Sequence, residues 1–320
     1  MTIKPLALRK GDCIGVISPA STPDQTSLTK GKKILESMGF RVRLGPTIKN
    51  LFGGGMLNAP DAERVKELHW AFEDPEVKAI ISSGGGYGTL RILDSLDYDL
   101  IRRNPKIIVG FSDLTALLNC ITQNTDLVTF HGPMVAVDFG RDNPSKYVLD
   151  WFVKATCNHT PLGAIDYPED SPPVRTVVEG TASGPLIGGN LTLLVRMAGT
   201  DFEPRFEGKI VLIEEVGEDP YEIDGMLTQL ILNGRIQKSA GIVFSQCVDC
   251  PVPERTGRSI NRLTLESVVK ERLEKIGVPA IFNFHAGHNV HKPTLPLGVN
   301  AKLDASNGTL EITDSGVLPA

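Results

Sequence analysis

The sequence predicts an α/β protein whose first half forms a parallel sheet covered by helices. From residue 13 to residue 133, short apolar runs alternate with amphipathic stretches, and each apolar run ends in a turn of small residues. This alternation favours a parallel sheet, because parallel strands need a long connection that is usually a helix. With 320 residues, of which 41% are hydrophobic, the chain is long enough to form two domains with separate cores.

The pattern in the first half predicts both strands and helices. The strands are residues 13–20, 78–86, 106–113 and 127–133, and the helices are residues 28–40, 59–74 and 114–124. Because the carboxyl ends of parallel strands lie at one edge of a sheet, the turns that follow them are expected along one rim. That rim would hold Ser18, the glycine loop Gly84–Gly88, Ser112 and His131.

A proline-rich stretch divides the chain. Residues 158–176 carry four prolines and no apolar periodicity, and they follow a predicted helix at 144–156. We therefore expect an N-terminal domain at 1–160 and a C-terminal domain at 161–320. For the second domain the pattern predicts a turn at 184–194, a strand and a helix over 209–232, a strand at 240–247, a helix at 261–277, a strand at 278–284 and a hairpin over 294–314.

Composition excludes several classes of partner. The net charge is -5 and the chain has no run of Lys or Arg that would follow a phosphate backbone, so we expect no nucleic-acid partner. The N-terminal residues lack an apolar run long enough for a signal peptide or a membrane span, which predicts a cytoplasmic protein with no membrane partner. Five cysteines spread over the chain do not resemble a disulfide framework and are expected as reduced thiols.

Ser112 stands in a Gly-Phe-Ser-Asp turn between a predicted strand and a predicted helix. A serine at such a corner has its hydroxyl exposed at the sheet rim, where helix N–H groups can stabilise an oxyanion, so it is a candidate nucleophile. The alternative is a plain helix N-cap, a position that serine favours. Leu114 replaces the second glycine of the Gly-x-Ser-x-Gly elbow, which disfavours a standard α/β-hydrolase.

A nucleophilic serine needs a base and an acid that orients it. His288 follows Ala-Gly after a predicted strand and is the best-placed base. Glu214 and Glu215 end an apolar strand, and since adjacent strand residues point to opposite faces, only one of them can face the site. The alternatives are solvated strand-end charges for the two glutamates, and a metal site built from His285, His288 and His291.

Two further motifs carry weaker signals. The loop Gly84–Gly88 permits close backbone approach to an anion, but it lacks the Gly-Lys-Ser/Thr ending of a phosphate-binding loop. Cys247 and Cys250 form a Cys-x-x-Cys pair without a second pair, and we interpret them as structural thiols. A catalytically silent binding protein that uses the glycine loop therefore stays an alternative to an enzyme.

Motifs along nearly the whole chain resemble the LD-carboxypeptidase family of serine peptidases, which includes murein tetrapeptide LD-carboxypeptidases and microcin-immunity peptidases. In the family's order, the motifs are VISPAS at 16–21, GGYGTLRILD at 85–94, VGFSDLTALL at 109–118, HGPM at 131–134, GGNLTLL at 188–194, LIEEVGEDPYEIDGMLTQL at 212–230 and GHNVHKPTLPLG at 287–298. One departure is Gly84, where members of the family commonly carry Arg. Arg91 is nearby in sequence and is a candidate to compensate.

The resemblance implies a triad of Ser112 as nucleophile, Glu214 as acid and His288 as base, with the backbone N–H groups of Asp113 and Gly86 as the oxyanion hole. It implies an N-terminal α/β domain joined to a mixed β/α C-terminal domain, commonly in a homodimer. The implied activity is a serine carboxypeptidase that needs no cofactor and cleaves an L,D peptide bond, such as that of the terminal D-Ala in a recycled murein tetrapeptide. The alternative within the family is a peptidase that detoxifies peptidyl or aminoacyl nucleotide antibiotics.

Overall fold

The computed structural model describes residues 2–49, 56–169, 171–250 and 263–320. The chain divides into two compact units, of which the first contains Met1–Leu162, Val290–Val299 and Asp314–Ala320. The second unit contains Gly163–Asn289 and Asn300–Thr313. The predicted domain 161–320 included the segments 290–299 and 314–320, whereas the structure packs both of these segments into the first unit.

The bounds of the regular elements are as follows. The strands are β1 Cys13–Ile17, β2 Arg41–Leu44, β3 Val77–Ser82, β4 Ile107–Gly110, β5 Thr129–His131, β6 Gly163–Ala164, β7 Arg175–Val178, β8 Thr181–Asn190, β9 Ile210–Val216, β10 Gly241–Val248, β11 Ala280–Phe284, β12 Leu295–Leu297, β13 Asn300–Asp304 and β14 Thr309–Ile312. The helices are α1 Gln25–Ser37, α2 Pro46–Lys49, α3 Asp61–Glu73, α4 Tyr98–Arg103, α5 Leu114–Thr125, α6 Lys146–Cys157, α7 Leu191–Met197, α8 Pro220–Asn233 and α9 Leu265–Ile276. Short 3₁₀ helices span Thr89–Ser95 and Ile236–Lys238, and a π-helical turn spans Val135–Phe139.

The first unit contains a six-stranded sheet with the order β12-β5-β4-β3-β1-β2. Its strands β2, β1, β3, β4 and β5 are parallel, as the alternating pattern predicted, and β12 adds an antiparallel edge. Strands β1 and β4 are buried at every residue, which explains their continuous apolar sequence. The edge strand β2 was not predicted, because its sequence RVRL is partly exposed and mixes charged with apolar residues.

The second unit contains an eight-stranded sheet with the order β6-β14-β13-β8-β9-β10-β11-β7. Strands β8, β9, β10 and β11 are parallel, and the outer strands pair antiparallel, so the sheet is mixed, as expected from the resemblance. The predicted hairpin over 294–314 is found only in part. Strands β13 and β14 pair as a hairpin, whereas Leu295–Leu297 joins the sheet of the first unit.

Among the described residues, no helix combines the length and the apolar composition that crossing a bilayer requires.

The predicted turn at 184–194 is wrong, because the end of strand β8 and the start of helix α7 occupy these residues. Gly188 and Gly189 of this segment lie inside the strand with φ values of +110° and +140°. An ideal Cβ at Gly188 would lie 2.1 Å from the carbonyl oxygen of Leu212 on β9. Glycine is needed here because the neighbouring backbone approaches too closely for a side chain.

We expect Gly188→Ala to destabilise the protein by about 3 kcal/mol or more, because the added methyl group meets rigid backbone at a positive φ. Gly225→Ala is the matched control, since Gly225 lies within helix α8 and its ideal Cβ meets no atom within 4 Å. That substitution should stabilise the protein by up to about 1 kcal/mol. Thermal unfolding of the two variants beside the wild type measures both effects, and equal stabilities would contradict the assigned backbone contact.

Candidate active site

Ser112 occupies the corner between strand β4 and helix α5. Its φ is +62°, a left-handed conformation that costs a non-glycine residue about 1–2 kcal/mol. The N-cap position of α5 belongs to Asp113, and the N–H of Thr115 donates to the Ser112 carbonyl oxygen at 2.9 Å. Ser112 is therefore not the plain N-cap of the alternative interpretation. A strained serine at the end of a buried strand is a feature of functional sites.

The glycine loop packs directly against this corner. An ideal Cβ at Gly85 would lie 3.0 Å from Cβ and 3.1 Å from Oγ of Ser112, and 3.6 Å from the backbone nitrogen of Asp113. Gly86 follows with a φ of +105°. A side chain at Gly85 would press on the Ser112 hydroxyl, so the loop brings the backbone, without side-chain bulk, to the serine.

Asp113 is hydrogen-bonded to Thr89, which follows the glycine loop. Its carboxylate Oδ2 accepts from the Thr89 N–H at 2.8 Å, and its carbonyl oxygen accepts from the Thr89 hydroxyl. Burial raises the pKa of the Asp113 carboxyl, while the hydrogen bonds from Thr89 oppose that rise. The side chain of Asp113 therefore has a structural role, which leaves its backbone N–H as the group of interest for an oxyanion.

Arg64 is a site-supporting residue that the sequence analysis missed. Its guanidinium is fully buried on helix α3, donates to the carbonyl oxygen of Gly88 at 2.9 Å and also donates to that of Pro19. It therefore ties the glycine loop to the turn after β1. An arginine in an amphipathic helix is usually exposed, so the sequence pattern alone contained no signal for this role.

Gly84, which stands where members of the family commonly carry Arg, has space around it. An ideal Cβ at Gly84 meets only Val137 Cγ2, at 3.8 Å. Arg91, the candidate to compensate, has its guanidinium 2.8 Å from the carboxylate of Asp61, in an exposed ion pair. Its charge is thus directed to helix α3.

Glu214 and His288 meet within the second unit. The Nδ1 of His288 lies 2.7 Å from Oε2 of Glu214, whose side chain is fully buried, while that of His288 is 19% exposed. An ionised carboxylate can only accept, so Nδ1 must donate, and Nε2 of a neutral ring is then an acceptor. The geometry gives an oriented imidazole that can take a proton on Nε2.

Gly287 makes this pairing possible. Its φ is +70°, and an ideal Cβ there would lie 2.2 Å from Oε2 and 2.3 Å from Cδ of Glu214. The carboxylate occupies the space that any side chain at this position would need. Steric exclusion by the Glu214 carboxylate thus explains why glycine precedes His288 in the sequence.

Glu215 has a different set of partners. Its side chain is 2% exposed and accepts from the Asn190 side-chain amide and from the N–H and hydroxyl of Thr192, each at 2.8 Å. Burial raises the pKa of this carboxyl, and hydrogen bonds from Val216, Thr192 and Asn190 oppose the rise. Neither glutamate is a solvated strand-end charge, so that alternative is wrong. Glu215 anchors the start of helix α7.

The other histidines of the C-terminal cluster have separate partners. The Nδ1 of His285 lies 3.2 Å from the Gln246 side-chain nitrogen, and its ring packs on Tyr167. The Nδ1 of His291 lies 2.7 Å from the Ser145 hydroxyl. Across the part of the chain that the structure describes, no three His, Cys, Asp or Glu side chains are grouped so that they could hold a metal ion.

The predicted site residues are thus distributed over both units. The structure brings Glu214 and His288 together in the second unit. Ser112, Asp113 and Gly86 lie in the first unit, where the glycine loop contacts the serine corner.

Two sequence models match most of this chain. The model of the LD-carboxypeptidase N-terminal domain matches residues 14–132, and that of the LD-carboxypeptidase C-terminal domain matches residues 183–303. A probable murein peptide carboxypeptidase of Bacillus subtilis (strain 168) is 40% identical over 317 residues, which cover 99% of this chain and 96% of that protein. The microcin C7 self-immunity protein MccF of Escherichia coli is 28% identical over 340 residues, which cover 97% of this chain and 95% of that protein.

Solved structures agree with these matches. A structure of MccF in complex with glutamyl sulfamoyl guanosine has a TM-score of 0.87 at 26% identity and covers 98% of this chain and 99% of its own. The muramoyltetrapeptide carboxypeptidase from Oxalobacter formigenes has a TM-score of 0.82 at 28% identity and covers 96% of this chain and 100% of its own. The α/β fold class is confirmed by these likenesses.

The contacts of Glu215 predict a stability effect. Glu215→Leu should cost about 3 kcal/mol of unfolding free energy, because the buried donors of Asn190 and Thr192 lose their acceptor. Glu215→Gln keeps one acceptor oxygen and is the matched control, with a smaller loss expected. Chemical denaturation measures both, and a leucine variant as stable as the glutamine variant would contradict the anchoring role.

Proposed function

Because the chain belongs to the LD-carboxypeptidase family, as its motifs predicted, we propose that it is a serine carboxypeptidase acting on an L,D peptide bond. The substrate we propose is a murein tetrapeptide, from which the enzyme releases the terminal D-Ala. The family is one of peptidases, so the chain is a hydrolase. Support for the murein substrate comes from the relative that is 40% identical over nearly the full length, a probable murein peptide carboxypeptidase.

The observation that carries the proposal is the 2.7 Å hydrogen bond between Glu214 and Nδ1 of His288. A buried carboxylate that accepts from Nδ1 holds the imidazole in the tautomer whose Nε2 can remove a proton, and it stabilises the imidazolium that results. This is the function of the acid and the base in a serine-peptidase triad. We assign these roles to Glu214 and His288.

In the proposed mechanism, Ser112 is the nucleophile. Its Oγ attacks the carbonyl carbon of the scissile bond while its proton passes to Nε2 of His288. The tetrahedral intermediate then collapses as His288 returns the proton to the departing D-Ala amine. Water, activated by the same imidazole, hydrolyses the acyl-enzyme ester and regenerates the Ser112 hydroxyl.

We assign stabilisation of the oxyanion to the backbone N–H groups of Asp113 and Gly86. Preorganised N–H donors contribute to such reactions because they need no reorganisation as the negative charge develops. The packing of Gly85 against Ser112 supports this assignment, since it keeps the glycine loop beside the reacting oxygen. The proposed chemistry uses no cofactor.

A second candidate function is removal of a peptidyl or aminoacyl nucleotide antibiotic, as in microcin immunity. It is favoured by the TM-score of 0.87 to MccF bound to glutamyl sulfamoyl guanosine. The same triad would cleave an amide in either substrate, so the two functions differ in the group that the site recognises. The murein substrate is preferred because identity is 40% to the murein-type relative and 28% to MccF.

We further propose that the enzyme works in the cytoplasm, on murein peptides being recycled, and that it forms a homodimer, as the resemblance to the family implies. Sedimentation equilibrium of the purified chain measures the dimer directly. Fractionation of cells that produce the protein measures its location.

Incubation with murein tri-, tetra- and pentapeptides, followed by mass spectrometry, tests the reaction. We expect loss of D-Ala from the tetrapeptide only, and Ser112→Ala should reduce turnover by several orders of magnitude without unfolding the protein. Ser145→Ala is the control serine variant and should retain activity. Cleavage of an aminoacyl sulfamoyl nucleotide in place of the tetrapeptide would select the second function, and an active Ser112→Ala would exclude the serine mechanism.

Gly287→Ala tests the acid–base pair without removing any polar group. The added methyl group would displace the Glu214 carboxylate, so kcat should fall by about 100-fold or more as the imidazole loses its orientation. Gly277→Ala is matched in backbone conformation, with a φ of +78°, but its ideal Cβ has only the Glu274 carbonyl oxygen within 4 Å, at 3.8 Å. That variant should lose stability but keep its kcat. Equal kcat values in the two variants would refute the role of the pair.

A further inference from the structure

Lys292 is a buried cation that the mechanism above does not use. Its side chain is 1% exposed, and its ammonium lies 2.6 Å from Oδ1 of Asp138, whose side chain is 3% exposed. The other oxygen of Asp138 accepts from the Met134 N–H at 2.9 Å, which fixes the carboxylate in place. A buried ion pair contributes little net stability, because desolvation of both charges offsets their attraction. The pair therefore needs an explanation other than stability.

The ammonium of Lys292 also lies over an aromatic ring, 4.0 Å from the ring centroid of Phe111. Phe111 is 1% exposed, and the ring of His131 lies 6.1 Å from it in a tilted arrangement. A desolvated cation on a ring face attracts the ring and restricts its position. Lys292, Asp138, Phe111 and His131 all belong to the first unit.

Phe111 is the residue immediately before Ser112. Ser112 is held at a φ of +62°, a conformation that persists only where the surroundings enforce it. On its other side the serine is followed by Asp113, which Thr89 anchors through two hydrogen bonds. On the preceding side, the ammonium of Lys292 lies over the ring of Phe111.

We propose that Lys292, fixed by Asp138, is a positioning residue that acts through Phe111 to hold Ser112 in its strained, reactive conformation. The inference rests on the proposed role of Ser112 as nucleophile. In this role Lys292 takes no part in proton transfer. Its effect is on the fraction of molecules in which the serine is correctly placed.

The test compares variants of the full-length protein. Lys292→Met with Asp138→Asn removes both charges at similar volume, so no unpaired buried charge remains. We expect kcat to fall about 10- to 100-fold with KM changed less than about threefold, as expected for misplacement of a reacting group. The rate at which a fluorophosphonate probe labels Ser112 should fall by the same factor.

The control variant removes another ion pair, Glu203 with Arg235, through Glu203→Gln and Arg235→Met. It should leave kcat and the rate of probe labelling unchanged.

A double-mutant cycle with Phe111→Leu separates positioning from a general structural role. If Lys292 acts through Phe111, Phe111→Leu alone should lower kcat similarly, and adding it to the double variant should lower kcat no further. The proposal is overturned if the kcat losses of Phe111→Leu and of the Lys292→Met, Asp138→Asn variant multiply when the changes are combined. It is also overturned if Phe111→Leu alone has wild-type kcat. The Phe111→Leu result is decisive even if the Lys292→Met, Asp138→Asn variant does not fold. If wild-type protein is not labelled at Ser112, or Ser112→Ala is active, the proposed function itself fails. A labelled wild type with an unaffected double variant refutes only the role of Lys292.

Discussion

The left-handed backbone at Ser112 is the constraint on which the arrangement of the first unit depends. The strand before it is buried at every residue, and the helix after it begins two residues later. The chain must reverse direction between them within three residues, and it does so at a serine and not at a glycine. The free energy of this backbone strain is small beside that gained by packing β4 and α5. The conformation nevertheless persists only because contacts on both sides of the serine stabilise it. Gly85 packs on the side chain, Thr89 holds Asp113, and Lys292 lies on Phe111.

In the second unit, the corresponding feature is a pair of adjacent buried glutamates on strand β9. Glu214 and Glu215 point to opposite faces of β9, and both are buried, so each needs its own set of donors. Glu215 receives donors from the start of α7, which couples the sheet to that helix. Glu214 receives the imidazole of His288, and Gly287 leaves the space for it. Adjacent positions on one strand thus carry a carboxylate bonded to α7 and a carboxylate bonded to an imidazole.

Buried charged side chains occur in both units. Arg64, Lys292, Asp138 and the two glutamates of β9 are each almost fully withdrawn from solvent. Arg64 donates to the glycine loop, and Lys292 pairs with Asp138. The two glutamates accept from the start of α7 and from His288. Loops at strand ends have few apolar contacts of their own, so hydrogen bonds and ion pairs from the core hold them in place. Polar residues inside each unit therefore hold its loop ends and strand ends.

The sequence by itself determined the parallel sheet of the first half, its helices, the serine corner and the two motifs that supply Glu214 and His288. These features are local, because apolar periodicity and turn residues are set by neighbours along the chain. Only the tertiary structure decided that Gly188 and Gly189 lie within a strand, that 295–297 joins the first sheet, and that Arg64 and Lys292 are buried. The reason is physical. A glycine that is typical of a turn can equally mark a site where two backbones approach closely. A charged residue that is typical of the surface can be buried when carbonyl and carboxylate groups from elsewhere in the chain accept its hydrogen bonds.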